Sequence, residues 1–367
     1  MNHKKLLHIL HEIEYSGAEI MLNYSANYFK EHGYELHALN SEPKLGNFAP
    51  TLESSGFKII HIPNTEFWKH LKQFHHILKR EKYSVIHNHT EQYFFWYALI
   101  ARLNGIKFLY MVHSNFVFSR IIRIKRTFYR LFAKFVFNVT YVAISNNVQK
   151  NELKQFFNRT TLIPNWVNPD VFFPVKNQME KETLRNLLNI PLKSFVLLSV
   201  GTCNEVKNHI DIVKAMAIVK LKYNDILYLN IGDGPMREPL EKMTQDLGLS
   251  NQIYFLGQRG NVKEYLRACD LYIMTSRFEG LSISMLEALT CELPAIVYNN
   301  RGLRDLVING KTGFLIDEKP EILAEKIIEL YKDPNLTKKM GEESGRFVKE
   351  NYNMYSSVEK LHNLYQS

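Results

Sequence analysis

Two glutamates stand eight positions apart in the stretch Ser276 to Tyr298, SRFEGLSISMLEALTCELPAIVY: Glu279 beside Gly280 and small residues, Glu287 inside an apolar run. Were the stretch helical throughout, eight steps would turn the side chain roughly 80° beyond two full turns and advance it ~12 Å. The carboxylates would then share a broad face but neither one proton nor one metal ion. Two ends of one long ligand fit that spacing better. Lys207, in GTCNEVKNH, stands a few residues past Gly201. An ammonium there can hold a diphosphate as a point charge, and the plain alternative is a solvated lysine. SGAE, Ser16 to Glu19, places Gly17 where helix-start amides would face an anion. It lacks G-x-G-x-x-G, which disfavours nicotinamide binding and leaves a tight turn as the other reading. Gly232 and Gly234 flank Asp233 in IGDGPMREPLE, a turn that needs no ligand, with Pro235 suited to a helix start. His87 and His89, in VIHNHT, alternate on a strand and face one side. Without further ligands a metal reading of that pair is weak. His113, in MVHSNF, falls at a strand end, either as a satisfied histidine or close to a reacting hydroxyl.

These residues need strand ends to hold them. KKLLHIL reads as a buried strand, followed by a loop and an apolar helical pattern through Met21, Leu22, Tyr24, Ser25, Tyr28 and Phe29. ELHALN, KIIHIP, SVIHNH, FLYMVH and YVAIS continue as short apolar runs with helical or loop stretches between them, the alternation of a parallel sheet. After IPNWVNPDVFFP the pattern restarts with FVLLSVG, ILYLNIGDG, IYFLG, DLYIMT and AIVYN. The chain therefore reads as two α/β halves. Pro164, Pro169 and Pro174 make Ile163 to Lys176 a linker rather than a buried element. Helical spacing at Val358, Leu361 and Leu364 gives a terminal helix able to pack on either half. Open parallel sheets bind ligands beyond the carboxyl ends of their strands, which is where the candidates fall.

The 367 residues suit two domains, and 46% hydrophobic with 23% charged residues is a globular balance. His8, His11, Glu12 and Glu14 interrupt the N-terminal apolar stretch, so no export signal is expected. No apolar run approaches the ~18 residues of a membrane span. Cys203, Cys269 and Cys291 are scattered, which points to free thiols in a reducing compartment. The net charge of +9 attracts anions without choosing among nucleotides, lipid headgroups and nucleic acid. Between Ser119 and Phe137, Arg120, Arg123, Lys125, Arg126, Arg130 and Lys134 alternate with Ile, Phe and Leu and no acidic residue. That is either an interfacial helix on anionic lipid or a core helix with a basic solvent face.

Together, SGAE, VAISNNVQ, LIPNWVNPDVF, SVGTCNEVKNH, IGDGPMREPLE, the run from IYFLGQRGNV to SISMLEAL, and PAIVYNNRGLRDLVINGKTGFLID resemble glycosyltransferase family 4, the retaining GT-B enzymes that use nucleotide sugars. The resemblance spans nearly the whole chain and is densest from Gly201 to Asp317. It implies an α/β GT-B fold, two Rossmann-like parallel-sheet domains facing a central cleft. Residues 1–168 would bind acceptor and 169–351 the nucleotide sugar, with the helix 352–367 able to pack back on the first domain. It implies that Glu279 contacts the donor sugar's hydroxyls, that Gly280, Leu281 and Ser282 offer helix-start amides, and that Glu287 bonds the ribose. A carboxylate accepts well from vicinal hydroxyls, so the residue type suits both roles. Lys207 and the amide of Gly17 would meet the diphosphate, Thr202, Gly232, Gly257 and Arg259 would complete the donor site, and His113 would lie on the acceptor side. Lys207, Glu279 and His113 form the implied catalytic group.

Departures from the family pattern fall at Thr202, where arginine is common, at Asn165 to Asn168 in place of N-G-V-D, and at Asp305 in place of a glutamate. Arg277 or Arg301 is a substitute cation for Thr202. The implied reaction moves a hexosyl or related group to a glycan or lipid-linked hydroxyl, in surface polysaccharide or glycolipid synthesis. It needs no cofactor and no divalent metal if Lys207 and amides carry the phosphate charge. The expected partners are a nucleotide sugar, the acceptor and an anionic membrane surface through 119–137, with no nucleic acid. The expected location is the cytoplasm, peripheral on the inner face of the plasma membrane. Rival readings are a nucleotide-sugar epimerase, which would isomerise donor alone; a GT-B phosphorylase, needing a cofactor lysine or phosphate-dependent cleavage; and a non-catalytic sugar or nucleic-acid module, which would tolerate Glu279→Gln.

Overall fold

The computed structural model describes residues 4–113, 118–300 and 302–367. The chain divides into an N-terminal unit, Met1–Trp166 with Met354–Ser367, and a C-terminal unit, Val167–Asn353.

The N-terminal sheet comprises β1 (Lys4–Leu10), β2 (Tyr34–Asn40), β3 (Phe57–His61), β4 (Val85–Asn88), β5 (Lys107–Val112), β6 (Thr140–Ala143) and β7 (Thr161–Leu162). Its spatial order is β3-β2-β1-β4-β5-β6-β7, with every described pair parallel. The C-terminal sheet comprises β8 (Phe195–Val200), β9 (Ile226–Ile231), β10 (Ile253–Phe255), β11 (Leu271–Met274), β12 (Ala295–Tyr298) and β13 (Gly313–Ile316). Its order is β10-β9-β8-β11-β12-β13, also parallel. β4, β9, β11 and β12 are buried along their whole lengths, as expected of strands covered on both faces and written as continuous apolar runs. In each sheet the strand order reverses beside the first strand: β1 has β2 on one side and β4 on the other, and β8 has β9 and β11. At such a switch point the loops after the two neighbouring strands leave in opposite directions, which is where open parallel sheets generally bind ligands.

Two sequence expectations change. The eleven apolar runs omit β7, which pairs only two residues with β6, and β13, which sits behind the glycine-flanked turn NGKTG. The segment Ile163 to Lys176 is not a solvated linker: Ile163, Trp166, Val167 and Phe172 are all buried. Its prolines remove donors, but the apolar side chains between them still gain by burial, and Val167 donates its N–H to the Tyr352 carbonyl at 3.2 Å. In the glutamate stretch the helix is Ile283–Thr290, capped by Ser282, and Glu279 stands in the loop before it.

Candidate functional site

In the C-terminal unit the candidates gather at the switch point between β8 and β11. Gly232, after β9, has φ +145°, and a Cβ there would lie 2.0 Å from the Gly201 carbonyl oxygen. Its N–H donates to the Gly257 carbonyl at 3.0 Å. Only glycine lets the exits of β8, β9 and β10 meet this closely. The β8 exit loop is then fastened to the β11 exit loop. Thr275 donates its hydroxyl to the carbonyls of Lys207 and Asn208 at 3.1 and 2.9 Å, and Arg277 donates its N–H to the Val206 carbonyl at 2.8 Å. The Lys207 N–H donates to Asn204 Oδ1 at 3.0 Å.

These bonds bring Lys207 Nζ to 2.6 Å from Glu279 Oε1. The Lys207 and Glu279 side chains are 21% and 15% exposed, so the pair is mostly shielded while one edge stays open to solvent. The peptide of Glu279 is held from behind by Gly302. With φ +89°, a Cβ on Gly302 would lie 2.2 Å from the Glu279 carbonyl oxygen. Ser282 caps the following helix by accepting from the Met285 N–H at 3.3 Å, and Ser284 ties it to β8 through the Val200 carbonyl at 3.0 Å. Tyr272 on β11 donates to Ser284 Oγ at 3.0 Å. Leu281 and Ser282 are buried at this helix start, and Gly280 is half-buried.

Glu287 is buried on the same helix, five positions beyond Ser282 and therefore ~7 Å along its axis. Burial, and then the Glu287 charge, push the neighbouring Cys291 thiol up to about 12. All three cysteines are buried and unpaired. Gly257 is buried, whereas Thr202 and Arg259 are exposed on loops of the same unit. Of the substitute cations, Arg277 is exposed on the β11 exit loop and Arg301 lies outside the described residues. Asp305 is half-buried, and its carbonyl accepts from the Tyr352 hydroxyl at 3.0 Å. Asn208, held in the left-handed region at φ 53°, and Gly302 escape a reading of the sequence, since only their tertiary neighbours reveal what they support.

In the N-terminal unit, Gly17 opens the helix Gly17–Glu31 behind the N-cap Ser16. The Ser16 hydroxyl donates to the buried carboxylate of Glu19. Burial pushes that carboxyl up to about 7, so near neutrality it carries only part of a negative charge where the sequence suggested an anion. His113 follows β5, with Nε2 3.0 Å from His89 Nδ1. Desolvation pushes its pKa down to about 4, leaving the imidazole neutral at pH 7.

The basic stretch forms the helix Arg120–Val136. Five of its six cations are absent from the interior, but Arg130 turns inward, with Nε 3.1 Å from Glu152 Oε2 and a further bond to Glu91. Ile121, Ile124, Phe128 and Phe135 are 60–82% exposed, whereas Ala133 is buried and Tyr129 and Phe132 pack on Phe95, so the apolar side is covered within the unit only in part. Trp68 is exposed on the same unit, 6.2 Å from Trp96 between ring centroids. No helix among the described residues is long and apolar enough to cross a membrane.

Comparison with known proteins matches residues 15–171 to the family model Glycosyltransferase Family 4 and residues 180–347 to Glycosyl transferases group 1. EpsD of Bacillus subtilis strain 168, which carries a glycosyltransferase designation, is 28% identical over 355 residues, 93% of this chain and 91% of that protein. The UDP-Gal:alpha-D-GlcNAc-diphosphoundecaprenol alpha-1,3-galactosyltransferase of Escherichia coli is 25% identical over 307 residues, 81% and 79% of the two chains. Among solved structures, Anabaena HepE in complex with UDP and glucose superposes with a TM-score of 0.85 at 19% identity, covering 99% of each chain. That likeness establishes a GT-B fold.

Proposed function

Because this chain belongs to the group 1 glycosyltransferases, and so is a sugar-transferring enzyme, we propose that it is a retaining transferase using a nucleotide-diphosphate sugar as donor. The observation that carries the reading is the contact of Lys207 with Glu279 at the β8/β11 switch point, just before the helix that carries the buried Glu287. Glu279 accepts from hydroxyls of the transferred sugar, and Glu287, at the far end, accepts from the ribose. Lys207 neutralises the diphosphate, assisted by amides at Gly280, Leu281 and Ser282. Thr202, Gly232, Gly257 and Arg259 line the remainder of the nucleotide, and the helix start at Gly17 offers further amides to phosphate.

In the step itself the acceptor oxygen bonds to the anomeric carbon as the bond from that carbon to the diphosphate oxygen breaks. Both events occur on one face, and a departing phosphate oxygen takes the acceptor's proton. Donors aimed at the charge developing on the diphosphate are what lower this barrier. The diphosphate step is assigned to lysine and amides, with no metal in the reaction, because Lys207 already stands beside the sugar-binding carboxylate.

The acceptor is a lipid-linked glycan on the inner face of the plasma membrane, with His113 on the acceptor side. Support comes from the exposed apolar and basic helix Arg120–Val136 and from the diphosphoundecaprenol acceptor in the name of the Escherichia coli relative. A thermal-shift screen of nucleotide sugars identifies the donor, since a ligand of the native state raises its melting temperature. NMR of the product's anomeric proton then tests retention, and an inverted linkage would overturn that assignment. Vesicle sedimentation should show binding to anionic but not neutral lipid, weakened by salt; equal, negligible binding to both removes the membrane claim.

A further inference from the structure

The switch point of the N-terminal unit holds three histidines that the transfer step does not use. His8 on β1 and His87 on β4 are direct partners in the parallel ladder. His89, just past β4, shares a hydrogen bond with His8, its Nε2 lying 3.0 Å from His8 Nδ1. One ring nitrogen from each of the three falls within 4.8 Å of the other two. His87 is 1% exposed and its Nε2 has no hydrogen-bond partner among the described residues. A buried polar atom left in that state carries a desolvation penalty that a bound ligand offsets.

We propose that His8, His87 and His89 form a tris-imidazole site for a late first-row divalent cation, of which Zn2+ is the natural occupant. Three neutral nitrogen donors suit such an ion, whereas Mg2+ and Ca2+ take oxygen ligands. The outer partners are also in place. A metal-bound imidazole generally donates its second N–H to a fixed acceptor. His87 Nδ1 lies 2.7 Å from the Tyr365 hydroxyl, and His89 Nδ1 lies 3.0 Å from His113 Nε2. Zn–N bonds of about 2.0–2.1 Å require nitrogens ~3.3 Å apart in a tetrahedral arrangement. His8 and His89 stand near that spacing, and a swing of the His87 ring closes the set. Such an ion joins β1 to β4 and, through His89, fixes the orientation of His113. It belongs to the N-terminal unit and is separate from the diphosphate chemistry assigned to Lys207.

The test uses tag-free, full-length protein stripped with EDTA and titrated with Co2+. The expected result is a visible absorption band of a low-coordinate cobalt–nitrogen centre, saturating at one equivalent and bleached by Zn2+, with a higher melting temperature in the presence of Zn2+. His87→Gln, which keeps an amide near Tyr365 but removes the third imidazole, should lose the band, and exposed His76→Gln should retain it. An aqua-ion spectrum with no Zn2+-dependent shift, or an unchanged band in His87→Gln, overturns the site. Should His87→Gln fail to fold by circular dichroism, the wild-type band and its stoichiometry decide alone. Nucleotide-sugar shifts measured in EDTA report the donor reading separately.

Discussion

Glu279, in the loop before the helix Ile283–Thr290, and Glu19, in the first turn of the helix Gly17–Glu31, are both carboxylates near helix starts, and their surroundings give them opposite uses. Glu279 is partly open and 2.6 Å from an ammonium, so it stays available to accept from hydroxyls. Glu279→Gln keeps the shape but halves the accepting capacity, and it should lower kcat/KM by roughly 10²-fold in a donor-turnover assay while leaving the melting curve nearly unchanged. Equal activity would remove Glu279 from the reaction. Glu19 is buried, and its carboxyl is raised from 4.5 to about 7. Between those two values the folded protein keeps a proton that the unfolded chain has released, so this group's contribution to stability falls as pH rises through that window. The loss amounts to at most about 3 kcal/mol. Glu19→Gln removes the titration, so urea melts should show the variant gaining on wild type at pH 8 relative to pH 5. A constant difference between the two proteins across pH would contradict this origin.

At the scale of elements, two kinds of joint hold the site. Gly302 supports the loop before the helix Ile283–Thr290 by lying against the Glu279 carbonyl. Gly302→Ala must displace that peptide, so kcat/KM should fall by 10-fold or more, at the scale of ~1 kcal/mol in local strain. Kinetics and melting measured together check it, because a loss confined to stability would show that the loop does not position Glu279. The second joint is Arg130, which fastens the helix Arg120–Val136 to Glu152 in the interior. Burial raises the Glu152 carboxyl while Arg130 opposes that rise. Arg130→Met leaves Glu152 without its cation and should cost about 3–5 kcal/mol in urea unfolding. Adding Glu152→Gln should recover part of the loss, and no recovery would place the defect in packing.

At the scale of the molecule, the chain begins the N-terminal unit, builds the C-terminal unit, and returns with the helix Met354–Gln366 to complete the first. Val358, Leu361 and Tyr365 on that helix are buried, and Tyr365 packs near Phe29 and Tyr34. Removing residues 354–367 exposes those partners and the His87 ring. Limited proteolysis read by mass spectrometry should then show new cuts within residues 4–166, with 167–353 still resistant. Equal lability of both units would mean that the terminal helix is not a local brace.

Local pattern carried much of this organisation. Apolar runs of strand length such as FVLLSVG and ILYLNIGDG mark the two parallel sheets, because a strand covered on both faces has to be written in apolar residues. The family resemblance from Gly201 to Asp317 points to Lys207, Glu279 and Glu287, of which the structure brings Lys207 and Glu279 into contact. Other features depend on residues far apart in the chain. The burial of Trp166 despite its flanking prolines, the inward turn of Arg130 and the support of Glu279 by Gly302 arise from tertiary neighbours that local periodicity does not encode. The meeting of His8 with His87 and His89 is of the same kind: a histidine on one strand acquires chemistry from another only when the parallel register sets them side by side.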